Sequence, residues 1–385
     1  MIFKRKAIYI SLIIGICIYS NIGLAQDQKE KKKISFRHPD DNALDISSFL
    51  LDHHGVMPVP IIITEPAIGY GGGLGLLYFH QRKKQYDHYV PPSISGAFGF
   101  GTANKTWGTG LFHMQIFGDD RVRTLTAGAK VNVNYKYYGN NSELLSKYPP
   151  TVKMDAWVAF QQVQARIGQS EFYLGASYLY MNSQVALDTI PGKPLINYII
   201  ERLKGHSVIS IIKPMAIYDN RNNFFTPTKG FNAELAYSYS ASWLGSDADY
   251  GIIHTDFYGY IPIGNKLFTG WRYNGSFLTG DAPFYAYPFV VLRGIPAMRY
   301  QSNNVIVLET EWRYQFYKRW SLVAFSGMGK AFADAESFND IDLSYNFGTG
   351  LRVEIAKSLG MHSGIDFAWG DGKDFAFYIV IGSSW

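Results

Sequence analysis

The sequence predicts an all-β chain, a transmembrane antiparallel β-barrel of about 16 strands. Three observations carry that expectation. From residue 58 to the end, polar and apolar residues alternate with a period of two, as in strands whose faces meet different surroundings. Aromatic residues reach 16%, with 28 Tyr, 26 Phe and 38 Gly, while charged residues fall to 17%; soluble domains average about 25% charged. An apolar leader marks the chain for export, and no later stretch has the roughly 18 consecutive apolar residues of a spanning helix.

The N-terminus reads as a secretory signal over residues 1–25, with Lys4-Arg5-Lys6, an apolar run from Ala7 to Tyr19 and Gly23-Leu24-Ala25 as the cleavage site. Ile16, before Cys17, does not suit lipidation, so Cys17 belongs to the apolar core of the signal. Cleavage would remove the only cysteine and lower the net charge by three, from +5 to +2. No nucleic-acid partner is implied by that balance. Residues 26–57 form a polar lead-in on the periplasmic side, rich in lysine (Lys29, Lys31, Lys32, Lys33), with a short helical pattern in Leu44, Ile46, Leu50 and Leu51. Its Asp52-His53-His54 run is too small to define a metal site, and neither metal nor cofactor is expected.

The barrel is expected to occupy residues 58–385. Alternating runs place strands at 58–65, 69–80, 92–101, 105–118, 121–138, 152–167, 170–184 and 206–219. The second half supplies 230–243, 249–262, 266–279, 303–316, 319–332, 343–356, 359–369 and 374–385. Single-chain bacterial barrels require an even number. The clearest alternation puts Glu309, Glu311, Arg313 and Gln315 on one face and Leu308, Trp312, Tyr314 and Phe316 on the other. Polar inward and apolar outward is the expected assignment. The long connections 139–151, 185–205, 280–302 and 333–342 then lie outside the cell, and the tight turns at 118–120, 264–265 and 317–319 lie in the periplasm. The charged stretch 81–91 is long for its periplasmic side. Within 185–205, the apolar run 195–203 suits a helix or a strand extension.

At the ends of the barrel, Phe375, Phe377, Ile379, Ile381 and Trp385 share the lipid face of the last strand. Pro58 and Pro60 lie two apart in the first strand, so their missing N–H groups fall on one edge. That edge should face the last strand and leave the closure short of hydrogen bonds near Gly382.

Connection 280–302 holds three prolines and no period, with Leu292-Arg293-Gly294-Ile295 at its centre. Tyr218-Asp219-Asn220-Arg221-Asn222-Asn223 followed by Pro227-Thr228-Lys229-Gly230, then Glu311-Trp312-Arg313-Tyr314, Gly348-Thr349-Gly350-Leu351-Arg352 and Gly364-Ile365-Asp366, stand in an order and spacing that identify a resemblance. The chain resembles the BamA/TamA-type outer-membrane insertase barrels, or bacterial surface antigens, as a short member without POTRA domains. The resemblance implies that loop 280–302 folds into the barrel and that Arg293 pairs with inner-wall acids. Glu311 stands at one family position and Gly327 at another where an aspartate is usual; Glu309 and Asp366 also point inward by parity. Leu292 and Gly294 complete the loop motif, though Ile295 replaces the family's aromatic residue. Asp219, Arg221, Pro227 and Gly230 read as a periplasmic turn motif, and Phe377, Ile379, Gly382 and Trp385 resemble a C-terminal assembly signal.

The resemblance implies a protein of the outer membrane that aids assembly or transport of outer-membrane proteins or lipids. Its partners would be outer-membrane lipids, protein clients or a separate periplasmic partner. A plugged or weakly conducting pore is an alternative. A membrane-embedded hydrolase is a third reading; it would need Ser, His and an acid to converge near the luminal-parity histidines His113, His254 and His362. No G-x-S-x-G elbow appears, and no catalytic residue is assigned.

Overall fold

The structure, a computed structural model, describes residues 35–385 except 53–55, 66, 81–89, 140–144, 146, 372–373 and 384. The expected signal 1–25, the lysine-rich start of the lead-in, His53, His54 and most of 81–91 lie outside the described residues. Sixteen antiparallel strands follow one another in chain order in one sheet. They are β1 (Val56–Ile63), β2 (Gly71–Phe79), β3 (Ile94–Thr102), β4 (Trp107–Phe117), β5 (Val122–Lys136), β6 (Thr151–Arg166), β7 (Phe172–Leu187) and β8 (Gly205–Asp219). The second half comprises β9 (Gly230–Ser240), β10 (Tyr250–Pro262), β11 (Leu267–Gly280), β12 (Asn304–Tyr317), β13 (Trp320–Phe332), β14 (Ser344–Ala356), β15 (Met361–Gly370) and β16 (Phe375–Ile381). The sheet curls into a nearly closed barrel. Every consecutive pair is laddered, but among the described residues none joins β16 to β1. The strands at this seam are the shortest, 8 and 7 residues, against 15 or 16 in β5–β8. Ladder pairing between β1 and β2 runs from Val56 through Ile63, so Pro58 and Pro60 lie inside the strand rather than before it.

In β12 the alternation has polar residues inward: Glu309 and Arg313 are buried, while Leu308, Trp312, Tyr314 and Phe316 are exposed to lipid. Cross-strand partners carry this assignment through β11 and β10. On the other side of the barrel it reverses. In β5 and β6 the inward residues include Leu125, Ala127, Val131, Val158 and Phe160, with Arg123, Gln162 and Gln164 at one end, whereas Thr124, Thr126, Lys130, Asp155 and Gln161 share the outer face with the exposed Trp157 and Val163. Here the expected polar-in, apolar-out rule is corrected. A period of two fixes that faces differ, not which one is inside. His113 is a second correction, because it lies on the outer face with Leu111.

Three segments narrow the lumen. The lead-in forms α1 (Ser47–Asp52), and Leu50 packs with Phe79, Ile94, Ala356, Leu359 and Met361 at the end of the barrel where β14 turns into β15. Arg319 fixes this segment by donating to both carboxylate oxygens of Asp41 at 2.7 Å and to Asp45 at 2.8 Å. At the other end, residues 194–203 form a helix, α2 (Pro194–Leu203), rather than a strand extension, with Pro194 in its first turn. Ile200 of α2 is fully buried against Tyr135, Val152, Val185 and Leu187. Loop 281–303 descends between them.

The last strand ends at Ile381, short of the expected 385, because Gly382 takes φ +86° and turns the chain inward. A Cβ there would lie 2.8 Å from the Phe225 carbonyl oxygen. Trp385 therefore does not share the lipid face. Its ring stands against Tyr258 and Tyr260, where Gly270 has no side chain to exclude it.

Candidate functional site

Loop 281–303 reaches the inner wall through a chain reversal at Leu292-Arg293-Gly294. Gly294 has φ +89°, and a Cβ would lie 3.0 Å from the carbonyl carbons of Ala368 and Trp369, so no side chain fits. Its N–H donates to the Tyr378 hydroxyl at 2.9 Å, and the Arg293 carbonyl accepts from Asn346 at 2.9 Å. Leu292, Ile295 and Val290 are buried with Val305, Val307 and Ala331. Ile295 thus replaces the family aromatic as a core residue against Gly370.

Arg293 meets all three acids that parity placed inward. It donates to Glu311 at 2.7 Å, to Asp366 at 2.9 Å and to Glu309 at 3.1 Å. Arg352 grips Asp366 through two bonds of 2.5 and 2.8 Å, and Arg272 lies 3.0 Å from Glu309. Three guanidiniums thus face three carboxylates, which limits the cost of taking each charge out of water. Asp366 is fully buried and Glu309 nearly so. The Arg293 guanidinium also lies 3.5 Å from the Phe325 ring centre, within cation–π range.

Glycines make this arrangement possible. A Cβ on Gly348 would strike the Phe325 ring at 2.1 Å, and one on Gly350 would strike Asp366 at 2.0 Å. Gly327, where the resemblance leads one to look for an aspartate, leaves room for Leu292, which would lie 2.7 Å from a Cβ there. Glu309, one strand over and paired with Gly327 across the ladder, supplies a carboxylate instead. The sequence puts Arg272 on the polar face of its strand and Arg352 in a motif without pairing either with these acids, and nothing local marks Phe325, Asn346 or Tyr378 as contacts of the loop.

Asp219 and Arg221 lie apart from this network, at the β8–β9 turn. Asp219 accepts from Arg221 at 2.8 and 3.1 Å and from Arg123 at 3.3 Å, while Arg123 and Arg166 also hold the buried Asp120. These side chains line a cavity of about 440 Å³. Gly230 has φ +96°, and Asn222 and Asn223 cap the intervening backbone, with Asn223 reaching the Leu359 carbonyl. Pro227 lines a small crevice with Trp385 and Gly382. Phe377 and Ile379 are on the outward face of β16 with the exposed Phe375 and Ile381.

His113, His254 and His362 do not converge. His254 contacts Ser238 and Ser276, His362 contacts Arg313, and His113 shares Ser95 with His80 on the outer face. No group of metal-ligating side chains gathers among the described residues.

Comparison with known proteins fits this geometry. The family model for the Omp85 superfamily domain matches residues 89–288, just over half of the 385 residues. The chain belongs to the Omp85 superfamily. No curated protein matches it. Among solved structures, this Omp85 barrel is similar to BamA from Haemophilus ducreyi lacking POTRA domains 1-3, at 15% identity and a TM-score of 0.55 over 84% of this chain and 69% of that one. It is similar to CdiB from Acinetobacter baumannii at 10% identity and TM-score 0.56, covering 85% of this chain and 59% of that one. CdiB from Escherichia coli gives 9% identity and TM-score 0.57, with 84% and 62% covered. The chain spans less than two thirds of both CdiB proteins, and at such identities the likeness is one of fold.

Proposed function

We propose that this Omp85 barrel resides in the outer membrane and aids the entry or passage of proteins or lipids there by parting at the β1–β16 seam. The unpaired seam carries this reading. Unsatisfied strand edges are costly in lipid, and a barrel ordinarily removes them by closing. Prolines at 58 and 60 cannot donate to a neighbour, and β16 turns inward at Gly382, so full pairing is hindered from both sides. Loop 281–303, clamped through Arg293, holds the inner wall beside this seam, since Asp366 and Tyr378 belong to β15 and β16. Outer-membrane lipids would be its surroundings, and clients or a periplasmic partner would meet it at the seam or at the α1 end.

The test is a disulfide across the seam, with Ile62→Cys paired with Ile379→Cys or Ile381→Cys in a chain carrying Cys17→Ser. Oxidation should impair growth or alter outer-membrane protein and lipid composition, and reduction should restore both. Unchanged growth and composition in a strain that otherwise depends on the protein would sink the lateral-opening reading. A plugged pore is the second reading, favoured by the three segments that narrow the lumen. Planar-bilayer conductance that rises sharply in Arg293→Ala would support it.

A further inference from the structure

The inner wall of β1–β7 is unusual for an aqueous lumen. Phe98 of β3 lies between Gly75 of β2 and Gly110 of β4 across the ladders, and Phe100 lies between Gly73 and Gly108. Phe112 lies opposite Gly96 in the same way. A Cβ on Gly96, Gly108 or Gly110 would meet the neighbouring ring at 2.3–2.7 Å, so each ring occupies the space over a glycine. Beyond these rings the same face continues as Ala127, Phe160 and Leu179, with Leu125 at its margin beside Gln162 and Ser177. α1 packs on one end of this wall, and α2 with loop 281–303 packs on the other. Between those lids, Phe98, Phe100, Leu125, Val158, Phe160 and Leu179 are only partly buried.

This wall begins at the seam. β1 is apolar on both faces: Val56, Pro58, Pro60 and Ile62 look outward, while Met57, Val59, Ile61 and Ile63 look inward. The lipid-contacting surface therefore wraps around the free edge of β1 and runs unbroken onto the aromatic wall. Water gains little from such a surface, and a client strand would be recognised by backbone pairing at the edge rather than by flat rings several strands away. A hydrocarbon chain fits both its chemistry and its access, and the charged wall of β10–β15 across the lumen suits a polar headgroup.

We propose that the β1–β7 inner wall is a binding site for the acyl chain of a membrane phospholipid, admitted through the β1–β16 seam. The site rests on the seam reading for its route but not for its occupancy. The test uses the full chain carrying Cys17→Ser in nanodiscs, with phosphatidylethanolamine bearing a photoreactive diazirine near the end of one acyl chain. Adducts are mapped by mass spectrometry. Labelling is expected on Leu125, Phe160 and Leu179 as well as on the outer-face Leu111, Trp157 and Val163. Leu125→Gln with Phe160→Gln should lose the inner adducts and keep the outer ones, which report that the variant is folded in the bilayer. Oxidising the Ile62→Cys/Ile379→Cys pair before the probe is added should also abolish inner labelling alone, and reduction should restore it. Adducts confined to the outer face of the unlocked protein would overturn the acyl site, even if locking the seam still impaired growth. Inner adducts that persist after locking would uphold the site and overturn its route, and with it the seam as the point of lipid entry.

Discussion

Across β10–β15 the inner wall holds the buried charges of Glu309, Arg313, Arg352 and Asp366, with Arg272 beside them and Arg293 of the loop against them, and the outer wall is apolar. Across β3–β7 the assignment is reversed. There the inner wall is apolar along its middle, from Phe98 through Ala127 to Phe160 and Leu179, with Arg123, Gln162, Gln164 and Ser177 towards one end, and the outer face carries a row of polar residues from strand to strand: Ser95, His113, Thr126, Gln161 and Tyr178 are successive cross-strand partners. The row lies four residues along β4 from Phe117, about 13 Å at ~3.3 Å per residue, so it sits within the apolar band rather than at its rim. Its members pair with one another or with neighbours: Ser95 with His113 at 2.7 Å, Thr126 with Gln161 at 2.6 Å and Tyr178 with Ser210 at 2.7 Å. Satisfied in this way, they can face lipid at lower cost than isolated polar groups. One barrel thus has a half built around an electrostatic clamp and a half built around an aromatic surface.

The sharpest way to break this comparison is at the clamp. Arg293→Ala leaves Glu309, Glu311 and Asp366 without a shared partner in a nearly dry site, and removing one member of a buried ion pair costs about 3–5 kcal/mol. The loop should become cleavable by added protease and the heat-induced shift of the folded band should fall to lower temperature. Glu311→Gln should do less, because Arg293 keeps Glu309 and Asp366. In the double variant, effects that add in full would show that Arg293 and Glu311 act independently.

The outer walls provide the next contrast. Leu308→Arg places a charge on the apolar outer face of β12 and should cost about 2–4 kcal/mol in a bilayer refolding titration. Gln161→Arg, on the polar row, should cost well under half of that. Equal penalties would mean that the row is no more tolerant than the rest of the wall.

A smaller effect is expected at Gly294, where alanine must adopt φ near +89° and displace the β15 backbone. Strain of this kind costs about 1–3 kcal/mol, read as a lower unfolding temperature without loss of the Arg293 contacts.

The weakest contrast is titratable and lies at the α1 end of the barrel. Hydrogen bonds from Arg319 hold the Asp41 carboxyl well below the usual carboxylate range. Burial pushes Asp45 up, but hydrogen bonds from Ser47, from the Lys357 N–H and from Arg319 outweigh it, and its pKa is also lowered. A depressed carboxyl stabilises docking above the free value near ~4, and that contribution disappears as pH falls through the docked value. Residues 35–52 should therefore stay protected from hydrogen exchange at pH 7 and pH 5 and lose protection in more acidic buffer. Arg319→Ala should remove protection at every pH.

Much was legible from residue order alone. The number and spacing of strands followed from alternation and turn residues, because each strand must present two different faces and tight turns such as 118–120 and 264–265 favour Gly, Asp or Asn. Loop 280–302 stood out through its prolines and its Leu-Arg-Gly motif, and parity placed Glu309, Glu311 and Asp366 on one side. What alternation cannot encode is which side is inside. In β5 and β6 both assignments are consistent with the same string, and only the ladder running from Glu309 through seven neighbouring strands, β11 back to β5, decides that Leu125 and Phe160 look inward while Thr126 and Gln161 look outward. Trp385 shows the same limit at the chain end: its parity continues β16, but a left-handed turn at Gly382 and the space left by Gly270 bring it into the lumen. The sequence by itself determined sixteen two-faced strands and a loop built to enter them; the packing of distant strands and glycines decided which faces meet water, lipid or one another.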